Sequence, residues 1–269
     1  MLFRSIENIK ISAIKTVVNT VGQWSDGIKL ASTEGFTSGE MLDYIYKNKA
    51  HGKNLVGKFI DKIYLNHRGW RVVRTRKDNL AQNIKEAVNA TLEKQNDVFI
   101  CDVASGPAKY ILEVLEDFKD ENVYAQIRDI DERWLKKAKN IADEKSLKLE
   151  YKVADALNNK DFIFGAKSPD IMVASGFYDW FNDEKVLRKS MNLIYDVLNE
   201  NGYFVFSVQT GHVDLEMTNA VFKDFNNKPL EMAIWSDEKI AEILDEIGFK
   251  VIGKKSDKYD NYQVYLAQK

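Results

Sequence analysis

From about residue 95 onward, short apolar runs alternate with longer amphipathic ones. "DVFICDVA", "VYAQIRDID", "LEYKVAD", "PDIMVASGFY" and "GYFVFSVQ" read as strands, while "AKYILEVLEDF", "RWLKKAKNIADEKS" and "EKVLRKSMNLIYDVLNE" read as helices. Strands connected through helices run parallel, and a parallel sheet needs cover on both faces. The alternation breaks once. After the helix "SDEKIAEILDEIG", the runs "FKVIGKKS" and "YQVYLAQK" are joined only by "DKYDN", a connection short enough to make them antiparallel. The expectation is an α/β, Rossmann-like fold: a mostly parallel, seven-stranded sheet with an antiparallel last strand.

Upstream, helical patterns are broken at glycines, which gives residues 1–95 as a helical N-terminal cap or substrate region and 96–269 as the ligand-binding domain. Phe3, Ile6, Ile9, Ile14, Val17 and Val18 recur at helical spacing and are interrupted by Arg4, Glu7, Lys10 and Lys15, so the first helix is amphipathic, neither a signal peptide nor a span. Peripheral association with a membrane surface is compatible with such a helix. With 269 residues and 45% hydrophobic positions the chain can bury a core without covalent staples. Its single cysteine, Cys101, lies inside an apolar run, as expected for a core residue in a reduced, cytoplasmic setting. A formal charge of −2 offers polyanions no general attraction, so no nucleic-acid partner is expected.

In open α/β sheets the ligand meets the carboxyl ends of the strands, beginning where the first strand turns into its helix. Here that turn is "CDVASGPAKY". Asp102 ends the strand, Ala104 and Ala108 keep the crevice open, Gly106 permits close backbone approach, and Pro107 suits a first helical position. The pattern D-x-A-x-G-x-A departs from G-x-G-x-x-G, whose glycines serve a dinucleotide pyrophosphate. Asp129, 23 residues beyond Gly106 in "IRDID", has the spacing of a carboxylate that accepts from ribose hydroxyls, with Ile130 beside it; Asp131 reads as a helix cap. Asp155 in "VADALN" can accept from an adenine amino group while the Ala156 amide donates to the neighbouring ring nitrogen.

This ordered set resembles the class I S-adenosylmethionine-dependent methyltransferases, over roughly residues 97–269 and including the antiparallel ending. From about residue 20 onward the chain is also similar to a bacterial methyltransferase family whose members are sometimes fused to an α/β-hydrolase domain. That likeness is carried by "GFTSGEMLDYIYKN", "LNHRGWRVVRTR", "DVASGPAKY", "SGFYDWFNDEKVLRKS" and "GYFVFSVQTGHVDLEM". The resemblance implies S-adenosylmethionine as cofactor and S-adenosylhomocysteine as product, bound at Asp102, Ala104, Gly106, Asp129, Ile130, Asp155, Ala156 and Ser175. Ala104 and Ala108 stand where the general pattern of the fold has glycines.

Methyl transfer from a sulfonium needs alignment of the acceptor, and a base only where that acceptor must lose a proton. The three histidines, Cys101 and the scattered acids have no zinc-ligand spacing. In "SGFYDWF" Ser175 and Gly176 allow close approach; Tyr178 is the expected ligand contact, with Trp180 and Phe181 as core. In "SVQTGHVDLEM" Gln209 is a substrate contact and His212 either a general base with Glu216 as partner or a loop histidine bonded to backbone. In "HRGWRVVRTRK" Arg68, Arg71 and Arg74 share a helix face. Arg71, Arg74 and Trp70 suit an acceptor with an anionic head and an apolar body; the alternative is a solvated face. The function expected is O- or N-methylation of a small-molecule or lipid-like acceptor. The alternatives are a catalytically silent S-adenosylmethionine-binding regulator and a nucleotide-dependent dehydrogenase.

Overall fold

The computed structural model describes residues 2–165, 167–212, 215–224, 228 and 230–269, and side chains within 11–165, 167–212, 218–224, 228 and 230–269. Its strands are β1 (Val98–Asp102), β2 (Val123–Asp129), β3 (Leu149–Val153), β4 (Ile171–Ala174), β5 (Tyr203–Gln209), β6 (Lys250–Ser256) and β7 (Tyr262–Gln268). They form one seven-stranded sheet in the order β3-β2-β1-β4-β5-β7-β6. The first five strands pair in parallel, and β7 pairs antiparallel with both β5 and β6. Strand order reverses between β1 and β4, and open α/β sheets bind their ligands at such a reversal, at the carboxyl ends of the strands.

The helices are α1 (Leu2–Asn19), α2 (Asp26–Thr33), α3 (Gly39–Lys47), α4 (Leu55–Leu65), α5 (Arg68–Leu92), α6 (Lys109–Asp117), α7 (Glu132–Glu144), α8 (Glu184–Val197), α9 (Leu215–Val221) and α10 (Asp237–Ile247). Side chains alternate across β1. Val98 and Ile100 pack with Leu80, Ile84 and Val88 of α5, Ile111 of α6 and Leu135 of α7, whereas Phe99 and Cys101 pack with Leu187 and Ile194 of α8 and Ile240 of α10. Cys101 is core, as read from its apolar run, and burial pushes its thiol up to about 12. In the hairpin turn, Asp257 accepts from the backbone N–H groups of Tyr259, Asn261 and Tyr262 at 2.9, 2.9 and 2.8 Å, which fixes the return of β7.

Two compact units emerge, residues 1–74 with 212–231, and 75–211 with 232–269. The division therefore falls at Arg74 rather than near residue 95. Past that point Leu80, Ala81, Ile84, Ala87 and Val88 of α5 belong to the core of the sheet. The first unit has its own core, built on Met41, Ile45, Leu65 and Trp70. The later segment joins it through Phe222, which stacks on Phe36 at 4.8 Å, and through the Phe36 N–H, which donates to the Lys223 carbonyl at 2.9 Å. At the centre of this unit the Asp61 carboxylate is fully buried and accepts from Ser25 Oγ, Gly27 N–H, Tyr44 OH and His51 N–H. Among the described residues no helix is long and apolar enough to cross a membrane.

Candidate active site

At the carboxyl edge of the sheet, backbone groups tie the strand ends together. Val103 N–H donates to the Val173 carbonyl, Ser105 N–H to that of Arg128, and Ala154 N–H to that of Asp129, each at 3.0 Å. The Asp129 side chain adds two links: Oδ2 accepts from Gly106 N–H and Oδ1 from Asp131 N–H, both at 2.9 Å. Thus Gly106, Asp129 and the start of the 154–156 loop, far apart in sequence, meet at one edge. Asp131 caps α7 as its position predicts, accepting from Arg133 N–H at 3.0 Å.

The β1 turn owes its shape to two left-handed residues, Gly106 at φ +48° and Ala108 at φ +49°. A Cβ added at Gly106 would meet nothing within 4 Å, so its outer side is open space. Pro107 is not the first helical residue: α6 begins at Lys109, because Ala108 must turn through the left-handed region before the helix can start. Asp102 is fully buried; Oδ2 accepts from Tyr110 OH at 2.6 Å and Oδ1 has no well-formed partner. Burial pushes its carboxyl up to about 7, against the pull of the Tyr110 hydroxyl and the Ala104 amide. Ile130 is 70% exposed at the rim. Asp155 is also exposed, with Oδ1 accepting from Leu157 N–H at 2.9 Å, while Ala156 is buried beneath it.

Beyond β4 the structure departs from the sequence-based expectation. Ser175 is half-buried, and Gly176 (φ +65°) donates its N–H to Ser207 Oγ at 2.8 Å. A 3₁₀ turn over Tyr178–Trp180 then spaces side chains about 120° apart, so neighbouring residues face different surroundings. Tyr178, expected as a ligand contact, is fully buried in the core, edge-on to Phe206, with its hydroxyl 3.2 Å from Ser190 Oγ. Trp180, expected in the core, is 38% exposed. Gln209 is likewise not at a surface. Its Nε2 donates to the Gly211 carbonyl at 3.0 Å and its Oε1 accepts from Tyr262 OH at 3.4 Å.

The residues expected to recognise the acceptor differ in their surroundings. Trp70 is buried in the core of the first unit against Phe36 and Tyr64, which leaves no face for a substrate. Arg74 turns back to donate to the Leu65 carbonyl at 3.0 Å, whereas Arg71 is exposed. His212 is half-buried and belongs to the first unit. Glu216 lies in α9, but its side chain is outside the described residues.

One pair was missed in the sequence. Arg76 and Asp179, 5% and 2% exposed, form an ion pair at 3.0 Å. The guanidinium lies 4.7 Å from the Tyr262 ring centroid and against Gly176, where a Cβ would come within 2.8 Å of it. Burial raises Asp179 to about 6 despite the attraction of Arg76. The available signal was register: Arg76 is four residues from both Val72 and Leu80, on the apolar stripe of α5, away from the phase of Arg68, Arg71 and Arg74.

The family described as "Putative methyltransferase" matches residues 2–269. The chain belongs to this family. The chain is 27% identical over 259 residues to the uncharacterized protein YnbC of Escherichia coli K12, an alignment covering 94% of this chain and 44% of YnbC, so it spans less than half of that relative. Its fold resembles that of a protein from Bordetella parapertussis described as a possible exported protein, with TM-score 0.69, 13% identity, and coverage of 86% and 79% of the two chains. It also resembles the magnesium protoporphyrin IX methyltransferase ChlM of Synechocystis PCC 6803, solved with bound S-adenosylhomocysteine, with TM-score 0.58, 12% identity, and coverage of 88% and 97%. The chain thus combines membership of a putative methyltransferase family with a fold like that of a methyltransferase solved with S-adenosylhomocysteine.

Proposed function

We propose that the methyltransferase moves a methyl group from S-adenosylmethionine to an oxygen or nitrogen of a small-molecule acceptor, lipid-like compounds included, at the carboxyl edge of its sheet. The observation that carries this reading is the meeting of Gly106 and Asp129, with open space on the side of Gly106 where a Cβ would stand. Bound there, S-adenosylmethionine supplies an electrophilic methyl group on a sulfonium. The chain's task is to hold and orient. The turn at Ala104 and Gly106 allows close backbone approach, and the Asp129 carboxylate accepts from ribose hydroxyls. Ile130 offers an apolar surface to the adenine ring, while Asp155 and the Ala156 amide address its polar edge. Asp102, with a buried oxygen lacking a well-formed partner, suits a ligand ammonium group. Ser175 borders the reacting end. On chain position alone, three residues beyond β5, His212 is assigned the acceptor proton where one must leave, with Glu216 as partner. Arg71 is assigned to an anionic part of the acceptor.

Calorimetric titration with S-adenosylhomocysteine tests the cofactor seat. Wild type should bind, and Gly106→Ala should weaken binding at least about tenfold by filling the open space, at a fold cost of about 1–2 kcal/mol for its left-handed backbone. A folded wild-type chain that binds neither S-adenosylhomocysteine nor S-adenosylmethionine overturns the reading. Label transfer from methyl-labelled cofactor into small-molecule extracts tests turnover. Binding with no transfer would assign the chain to a silent cofactor-binding role.

A further inference from the structure

The geometry of α4 points to a second function for the first unit: we propose that the outer face of this helix docks onto an anionic lipid surface. Leu55, Val56, Phe59 and Ile63 are 87%, 53%, 64% and 59% exposed. At 3.6 residues per turn all four fall within an arc of about 100°. The opposite face buries Gly57, Asp61 and Leu65. This inverts ordinary amphipathicity, for the helix is anchored through a hydrogen-bonded carboxylate while its large apolar side chains face outward. An apolar stripe held outward on a fixed helix has the form of an interaction surface rather than of scattered exposure.

Charge selects the occupant. Residues 47–74 contain eight lysines and arginines against one acid, Asp61, which is buried and bonded internally. Lys58 and Lys62 border one side of the apolar arc, and Lys53 stands exposed just before the helix. Apolar side chains flanked by cations match the boundary between headgroups and acyl chains of an acidic bilayer, which takes up both features together. A second copy of the chain fits less well, since pairing two such faces would bring their cations together. The inference stands independently of the acceptor's identity.

Flotation of the full chain with phosphatidylcholine vesicles, with and without phosphatidylglycerol, tests it. Binding should require phosphatidylglycerol and weaken between about 0.1 M and about 1 M salt, as the screening length falls from about 10 to about 3 Å. Each cation at such a surface is worth roughly fivefold in affinity, so Lys58→Glu with Lys62→Glu should lower binding at least roughly 25-fold. Phe59→Asp should abolish it. Both variants alter exposed positions and should keep wild-type melting temperatures and S-adenosylhomocysteine affinity, which separates docking from folding and from the cofactor seat. Absence of wild-type binding to phosphatidylglycerol vesicles overturns the proposal, as does full binding by folded Phe59→Asp. A dimer that Phe59→Asp dissolves, with no vesicle binding, would assign the face to a second copy instead.

Discussion

The backbone N–H of Gly106 donates to Oδ2 of Asp129 at 2.9 Å, joining the end of β2 to the turn after β1. One carboxylate thus shapes the turn, and the proposed function assigns the same group to ribose. Asp129→Ala should weaken S-adenosylhomocysteine binding by about 1.5–3 kcal/mol, on the order of ten- to a hundredfold. Asp129→Asn retains an oxygen for the Gly106 amide and should lose less. Calorimetry on folded variants checks the order; wild-type affinity in Asp129→Ala would remove the residue from the cofactor seat.

Asp102 should make the fold less stable as pH rises. Its carboxyl titrates near 7 when folded and near 3.8 when free, so between these values the unfolded chain ionises while the folded one holds its proton. The stability linked to this group is fully present below about 3.8, declines as pH rises, and levels off above about 7. Asp102→Asn is neutral throughout and can still accept from Tyr110. Its melting temperature relative to wild type should climb by several degrees across about pH 5 to 8. A difference that is flat with pH would refute the burial argument.

The Arg76–Asp179 pair predicts a specific non-additivity. Arg76→Met leaves a buried carboxyl without its cation and should cost about 3–5 kcal/mol, less at low pH where Asp179 is protonated. The double variant Arg76→Met/Asp179→Leu removes both charges and should recover much of that loss. Urea denaturation of the set decides it; a double variant as unstable as the worse single one would show that the pair is not coupled.

Tyr178→Phe deletes one buried hydrogen bond to Ser190 and should cost about 1 kcal/mol of stability, with methyl-transfer kinetics unchanged. Tyr178→Ala opens the core beside Phe206 and should cost about 3–5 kcal/mol. A fall in kcat in the Phe variant, without a change in melting, would return Tyr178 to the ligand.

The strands and the antiparallel ending were legible because each depends on local pattern or on spacing along the chain. The burial of Tyr178, Gln209 and Trp70 was not legible, because residue type alone cannot say which face of a turn or helix is covered. The 3₁₀ turn decided between Tyr178 and Trp180, and packing on Phe36 and Tyr64 decided Trp70. The unit division escaped for a similar reason: α5 is one continuous helix, and only its tertiary partners show that its later residues serve the sheet. The charge of Arg76 gives no hint of its burial, whereas its register on the apolar stripe of α5 does.

The Asp61 carboxylate gathers donors from the start of α2, from α3 and from the segment before α4. No one of those segments can peel away without leaving the shared acceptor partly unsatisfied in a dry interior. Small breathing motions of single helices are therefore suppressed, and the Gly27 and His51 amides should trade hydrogen for deuterium in the same event. In the time domain this carboxylate is a lock: the helices around it open together or stay shut.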